Sequence, residues 1–123
     1  MAKPRIVAID DESEFIEMLL EYFSLRGYDI KVSVRGIRGI EIIKESKPDV
    51  VLCDLKMPGI DGDEVLELVK TMQPAPKLIF LTAYDDGGKT RSRLLKMGAY
   101  AYFDKPIASL KVLEDSINKA FNG

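Results

Sequence analysis

The sequence predicts an α/β fold, an open parallel sheet of five strands with helices on both faces. Three features of the 123 residues predict it: unbroken short apolar runs, one alternating run, and helix-spaced apolar stripes filling the gaps between them. In chain order the first strand is Ile6–Ile9, an apolar run with no polar interruption, as expected for a strand buried on both faces. Phe15, Leu19, Tyr22 and Phe23 then fall at helical spacing, with Ser13 as a cap and Gly27 closing the segment. The run 28–34 alternates Tyr28, Ile30, Val32 and Val34 with Asp29, Lys31 and Ser33, the pattern of a half-exposed edge strand. Ile37, Ile40 and Ile43 form a second helical stripe that ends before Pro48. Val50–Cys53 is the next buried strand, followed by a helix carrying Val65, Leu66, Leu68, Val69 and Met72. The run 78–81 is the fourth strand. The helix after it begins in Gly87-Gly88-Lys89-Thr90-Arg91-Ser92-Arg93, which has no apolar stripe, so Leu94, Leu95 and Met97 alone can anchor it. The aromatic run 100–103 is the fifth strand, and Leu110, Leu113, Ile117 and Phe121 make the last helix.

Composition bounds the function. A chain of 13.8 kDa supports one core, so residues 1–123 are expected to form a single domain. Eighteen basic and twenty acidic residues are evenly mixed, which argues against nucleic-acid binding through a charged patch. No apolar run approaches the roughly 18 residues a membrane span requires. The N-terminus has no secretory pattern, and the single cysteine suits a reducing, cytoplasmic setting. Histidine is absent, which removes His-based triads, His-liganded zinc and a phosphohistidine on this chain. Any metal site must then use oxygen ligands, favouring a hard cation such as Mg²⁺.

In open α/β sheets, ligands bind beyond the carboxyl ends of the strands. The first strand exits into Asp10-Asp11, the third into Asp54, the fourth into Thr82, and the fifth into Asp104-Lys105-Pro106. With the central strands adjacent, carboxylates, a hydroxyl and an ammonium converge. Crowded carboxylates need a cation or a raised pKa. Asp10, Asp11 and Asp54 supply a hard-oxygen site, and Mg²⁺ with Lys105 would balance their charge. An ionised Asp can then act as a nucleophile toward phosphorus, with Thr82 donating to the phosphoryl group. Taken singly, each residue has an ordinary reading. Asp10 or Asp11 can cap the first helix, Asp54 can start a turn with Met57-Pro58-Gly59 and Asp61-Gly62, and Cys53, Tyr100 and Tyr102 can simply pack. Their joint placement on four strand ends favours the phosphoryl-transfer reading.

IVAIDDE around Asp10 and Asp11, KPDVVLCDLKMPGIDG around Asp54, LIFLTAY around Thr82 and MGAYAYFDKPI around Tyr102 and Lys105 resemble the receiver domain of two-component response regulators, along almost the whole chain. The resemblance implies a flavodoxin-like sheet of order 2-1-3-4-5 with five helices. It implies that Asp54 accepts a phosphoryl group from a phosphohistidine on a sensor histidine kinase or a histidine phosphotransfer protein. Asp10, Asp11, Asp54 and the backbone carbonyl of Lys56 would hold Mg²⁺. Thr82 would be the switch hydroxyl, Lys105 the partner of the phosphate, Tyr102 the aromatic whose rotamer reports Thr82, and Lys105–Pro106 a cis bond. The output would be a contact with a downstream protein or output domain on the face of helix four, strand five and helix five, with no direct nucleic acid or membrane partner. Beyond its own phosphorylation and dephosphorylation the chain is not expected to be an enzyme.

Three departures from the family pattern stand out. One extra residue falls near Gly87-Gly88, which should loosen the start of helix four. Gly39 stands where Ala is usual and should weaken helix two. Lys56 and Tyr84 flank the phosphoryl position, where Tyr84 can shield it. A haloacid-dehalogenase-like phosphatase is the alternative enzyme class, but its general-acid Asp would stand where Lys56 stands. A binding module independent of phosphorylation is the third reading, and the complete residue set weighs against it.

Overall fold

The computed structural model describes residues 2–123. In chain order the elements are β1 (Ile6–Ile9), α1 (Ser13–Leu25), β2 (Ile30–Ser33), α2 (Gly36–Ser46), β3 (Val50–Cys53), β4 (Lys56–Met57), β5 (Ile60–Asp61), α3 (Gly62–Thr71), β6 (Lys77–Thr82), α4 (Lys89–Met97), β7 (Ala101–Asp104) and α5 (Leu110–Asn122). The main sheet has the order β2-β1-β3-β6-β7, all parallel, which is the expected 2-1-3-4-5 once its own five strands are counted. No helix among the described residues is long and apolar enough to cross a membrane.

The unbroken runs are explained by two cores, one on each face of the sheet. Along β1, Val7 and Ile9 join the cluster under α2, α3 and α4, whereas Ile6 and Ala8 join the one under α1 and α5. Successive strand side chains point to opposite faces, so a strand covered twice must be apolar throughout. At the edge, β2 spans only Ile30–Ser33, and its alternation holds for Ile30, Lys31 and Val32 but ends at Ser33, which is buried. Tyr28 leaves the strand and packs edge-on against Phe23, with centroids 5.2 Å apart, while Val34 is exposed.

Several sequence expectations shift. The fifth strand is Ala101–Asp104 rather than 100–103, because its ladder to β6 begins at the Ile79–Ala101 pair and leaves Tyr100 exposed. Ser13 does not cap α1. It is the first helical residue, after Glu12 at the N-cap, which makes no side-chain cap bond. In α4, Leu94 is fully buried and Met97 half-buried, but Leu95 faces solvent. Gly87 and Gly88 both hold left-handed φ, +75° and +90°. The helix start beyond them is nevertheless fastened: Asp86 accepts from the Thr90 amide at 3.1 Å and from its hydroxyl at 2.6 Å. Gly39 is buried beneath Ile9, where an added Cβ would come within 2.5 Å of Ile9 Cδ1. Its cost in helix propensity accompanies a close approach of α2 to β1 that a larger residue would disturb. The Lys105–Pro106 bond is cis, as the resemblance implied, and Gln73–Pro74 is cis as well.

Candidate functional site at the strand ends

The parallel register fixes the site. The Asp54 amide continues the β1–β3 ladder by donating to the Ile9 carbonyl at 3.0 Å, which sets the first residues past the two central strands side by side. Across the sheet, the Lys105 amide donates to the Thr82 carbonyl at 2.9 Å and places the residue after β7 beside the end of β6. Asp10, Asp11, Asp54, Thr82 and Lys105 therefore gather at one end of the sheet, as the sequence predicted.

One carboxylate oxygen from each of Asp10, Asp11 and Asp54 lies within 4.8 Å of the others. Asp10 and Asp54 are buried, and Asp11 is exposed. Such an all-oxygen, anionic trio fits a hard divalent cation with one side open to water. Lys56, whose carbonyl the resemblance adds to this set, lies on β4 opposite Asp61. Burial raises the pKa of Asp10, against the hydrogen bonds from Lys105 and the Glu12 amide. Asp54 is raised in the same way, although the Lys105 charge, the Thr82 hydroxyl and the Leu55 amide pull the other way. Both carboxylates are thus short of favourable partners, the condition a bound cation would relieve.

Lys105 is the cation the chain supplies. Its Nζ lies 2.5 Å from Asp10 Oδ2, 2.6 Å from Glu12 Oε1 and 3.9 Å from Asp54 Oδ2, over the Phe15 ring at 4.5 Å. Burial alone would lower its pKa, but the bonds to Asp10 and Glu12 outweigh burial and the net shift is upward. Glu12 is the contributor that sequence reasoning missed. Its only signal was its place directly after the acidic pair.

Thr82 is 2% exposed and its hydroxyl accepts from the Tyr84 amide at 3.1 Å. Tyr102 is also buried, with its hydroxyl donating to the Tyr84 carbonyl at 3.2 Å. The ring already lies inward in the unmodified chain. Tyr84 carries the Lys56 ammonium 5.0 Å from its ring centroid, so the two flanking residues pack on each other. Cys53 is fully buried and burial pushes its thiol upward, which makes it a small apolar core residue.

Comparison with known proteins agrees with this geometry. Residues 6–118 match the model of the response regulator receiver domain. The chain is 29% identical over 119 residues to the sporulation initiation phosphotransferase F of Bacillus subtilis, covering 97% of this chain and 94% of that protein. It is 31% identical over 109 residues to the response regulator MprA of Mycobacterium leprae, covering 89% of this chain but 47% of that longer protein. Among solved structures, a receiver domain protein from Clostridium thermocellum superposes with a TM-score of 0.86 at 30% identity, over 98% of this chain and 95% of the other. The response regulator TrrA of Thermotoga maritima, in complex with Mg(2+)-BeF, superposes with a TM-score of 0.81 at 30% identity, over 96% and 99% of the two chains.

Proposed function

Because the chain belongs to the response regulator receiver domain family, we propose that it is a phosphorylation switch in which Asp54 accepts a phosphoryl group from a phosphohistidine donor. The observation that carries this reading is the position of Asp54: buried, 3.9 Å from the Lys105 ammonium and inside the three-carboxylate cluster. In the transfer, an Asp54 Oδ attacks phosphorus as the P–N bond of the donor imidazole breaks, and that bond's electron pair returns to the imidazole nitrogen. Little more than positioning and charge neutralisation is asked of the protein. Asp54 Oδ1 is oriented by the Leu55 amide at 2.7 Å. The Thr82 hydroxyl would donate to a phosphoryl oxygen, and Lys105 would pair with another. Mg²⁺ would be held by Asp10, Asp11 and Asp54, with the Lys56 carbonyl, and would neutralise charge gathered on the phosphoryl oxygens. That a relative's structure holds Mg(2+)-BeF supports the same cofactor here.

Residues 1–123 would act as one receiver unit, facing a sensor kinase or histidine phosphotransfer protein on one side. Its output would be a protein contact on the surface of α4, β7 and α5, with Thr82 and Tyr102 linking that surface to Asp54. The test is phosphorylation by acetyl phosphate with Mg²⁺, read by intact-mass spectrometry. One phosphoryl adduct is expected on the parent protein and none on Asp54→Asn. An adduct that persists in Asp54→Asn overturns the assignment.

A further inference from the structure

Lys105 has two close partners in the unmodified protein, and neither is the proposed phosphoacceptor. Asp10 Oδ2 lies at 2.5 Å and Glu12 Oε1 at 2.6 Å, whereas Asp54 Oδ2 is 3.9 Å away. These partners differ in kind. The Asp10 side chain is 3% exposed and is fixed by the Glu12 amide at 3.0 Å, so it has nowhere to go. The Glu12 side chain is 62% exposed and has no second partner among the described residues. Glu12 also occupies the N-cap of α1, a position that favours the shorter Ser, Thr, Asp and Asn as caps and leaves a glutamate free to reach elsewhere. Here it makes no cap bond and reaches across to Lys105, a residue 93 positions away. Two of the three ammonium protons are thereby used away from Asp54, and the Phe15 ring lies 4.5 Å from Nζ.

We propose that Glu12 is a positioning residue, a solvent-exposed latch that holds Lys105 off Asp54 until a phosphoryl group draws the lysine away. The inference rests on reading Asp54 as the phosphoacceptor. A phosphoryl group on Asp54 would add negative charge and further acceptor oxygens for Lys105 to pair with. For the lysine to turn to it, one existing bond must lengthen, and the exposed Glu12 gives way at least cost because water replaces the ammonium. A contact made only in the resting state stabilises that state and weakens phosphoryl-state ligands by the same factor. Since exposed ion pairs are weak, the factor is about two- to fivefold.

The test uses the whole chain with Mg²⁺ and beryllofluoride as the phosphoryl surrogate, followed by NMR with the side-chain signals of Lys105 assigned. Glu12→Gln should bind beryllofluoride about two- to fivefold more tightly than the parent. Its Lys105 signals should differ from the parent's in the free protein and coincide with them in the beryllofluoride form. Glu12→Asp keeps the charge but is one methylene too short for the contact, so it should behave like Glu12→Gln. Unchanged affinity and unchanged free-state Lys105 signals in Glu12→Gln overturn the latch. Parent-like behaviour of Glu12→Asp overturns it too, because general charge would then suffice. A parent protein that takes up no beryllofluoride refutes the phosphoacceptor reading instead, while the free-state Lys105 signals still decide whether Glu12 holds the lysine.

Discussion

Among the described residues two sets of carboxylates are buried, and their surroundings drive them in opposite directions. At the strand ends, Asp10 and Asp54 share the single ammonium of Lys105 and have their pKa values raised by burial. Between α1 and α5, Glu114 stands alone and collects the Tyr22 hydroxyl at 2.9 Å, the Arg26 guanidinium at 3.0 Å and the Tyr28 hydroxyl at 2.7 Å. Burial would raise this carboxyl as well, but the Tyr28, Arg26 and Tyr22 bonds outweigh it and hold it down at about 2. Asn118 extends the set by donating to the Tyr28 hydroxyl at 2.9 Å. Both places are shielded from solvent, but Asp10 and Asp54 lie deeper in the fold than Glu114 and have fewer donors, and depth and donors together set the direction of each shift. Glu114 is a satisfied charge that ties two helices together. The strand-end carboxylates have fewer favourable partners, the setting that the proposed phosphoryl transfer with a bound cation would use.

The comparison breaks most visibly if Glu114 is removed. Glu114→Ala removes the acceptor that three donors share, leaves the buried Tyr28 hydroxyl without an acceptor, and should cost about 4 kcal/mol of stability in a denaturant titration. A loss below about 1 kcal/mol would mean that the network only decorates the α1–α5 contact. Acid sharpens the contrast next. Glu114's folded pKa of about 2 lies below its ordinary 4.5, so its contribution is complete above pH 4.5 and is lost as the pH falls toward 2. That decline should reach roughly 2–3 kcal/mol in the parent and flatten in Glu114→Gln, as followed by thermal melts across the window. The smallest effect has the opposite sign. Asp54→Asn deletes a charge that the fold disfavours and should raise stability by about 1 kcal/mol at neutral pH while abolishing the phosphoryl adduct. A stability loss of similar size would show that Asp54 is already adequately paired.

The strand-end cluster was legible in the sequence, and the Glu114 cluster was not. Asp10, Asp11, Asp54, Thr82 and Lys105 each follow a recognisable strand, and the topology of a parallel sheet brings strand ends together. Tyr22, Arg26 and Tyr28 lie 86 to 92 residues before Glu114, and nothing periodic connects them to it. Only the packing of α1 against α5 does so. Glu12 escaped notice for a different reason. A glutamate after an acidic pair looks like one more solvated charge until its reach to Lys105 is seen. The hairpin of β4 and β5 has two residues in each strand, too few for any alternation to register, and its Pro58-Gly59 had read only as a turn. Gly39 was legible as a poor helix former. Why the position tolerates so little bulk depended on Ile9, 30 residues earlier, and appeared only in three dimensions.

The hairpin after Asp54 leaves and rejoins the domain through a narrow neck. The Gly62 amide donates to the Leu55 carbonyl at 2.7 Å, and a Cβ on Gly62 would meet Phe80 Cε1 at 2.5 Å and Leu55 Cα at 3.1 Å. Asp61 then starts α3 with a reciprocal capping pair with Glu64. Leu55 and Gly62 are thus stitched together at the base, while Pro58 and Gly59 at the tip face solvent. For protein engineering, the tip is a graft point. Doubling the length of such a closed loop costs only about 0.6 kcal/mol, and the stitch keeps the added chain from pulling on Asp54. A peptide tag or reporter spliced between Pro58 and Gly59 would sit within a few residues of Asp54 and two residues from Lys56, beyond the stitch between Leu55 and Gly62.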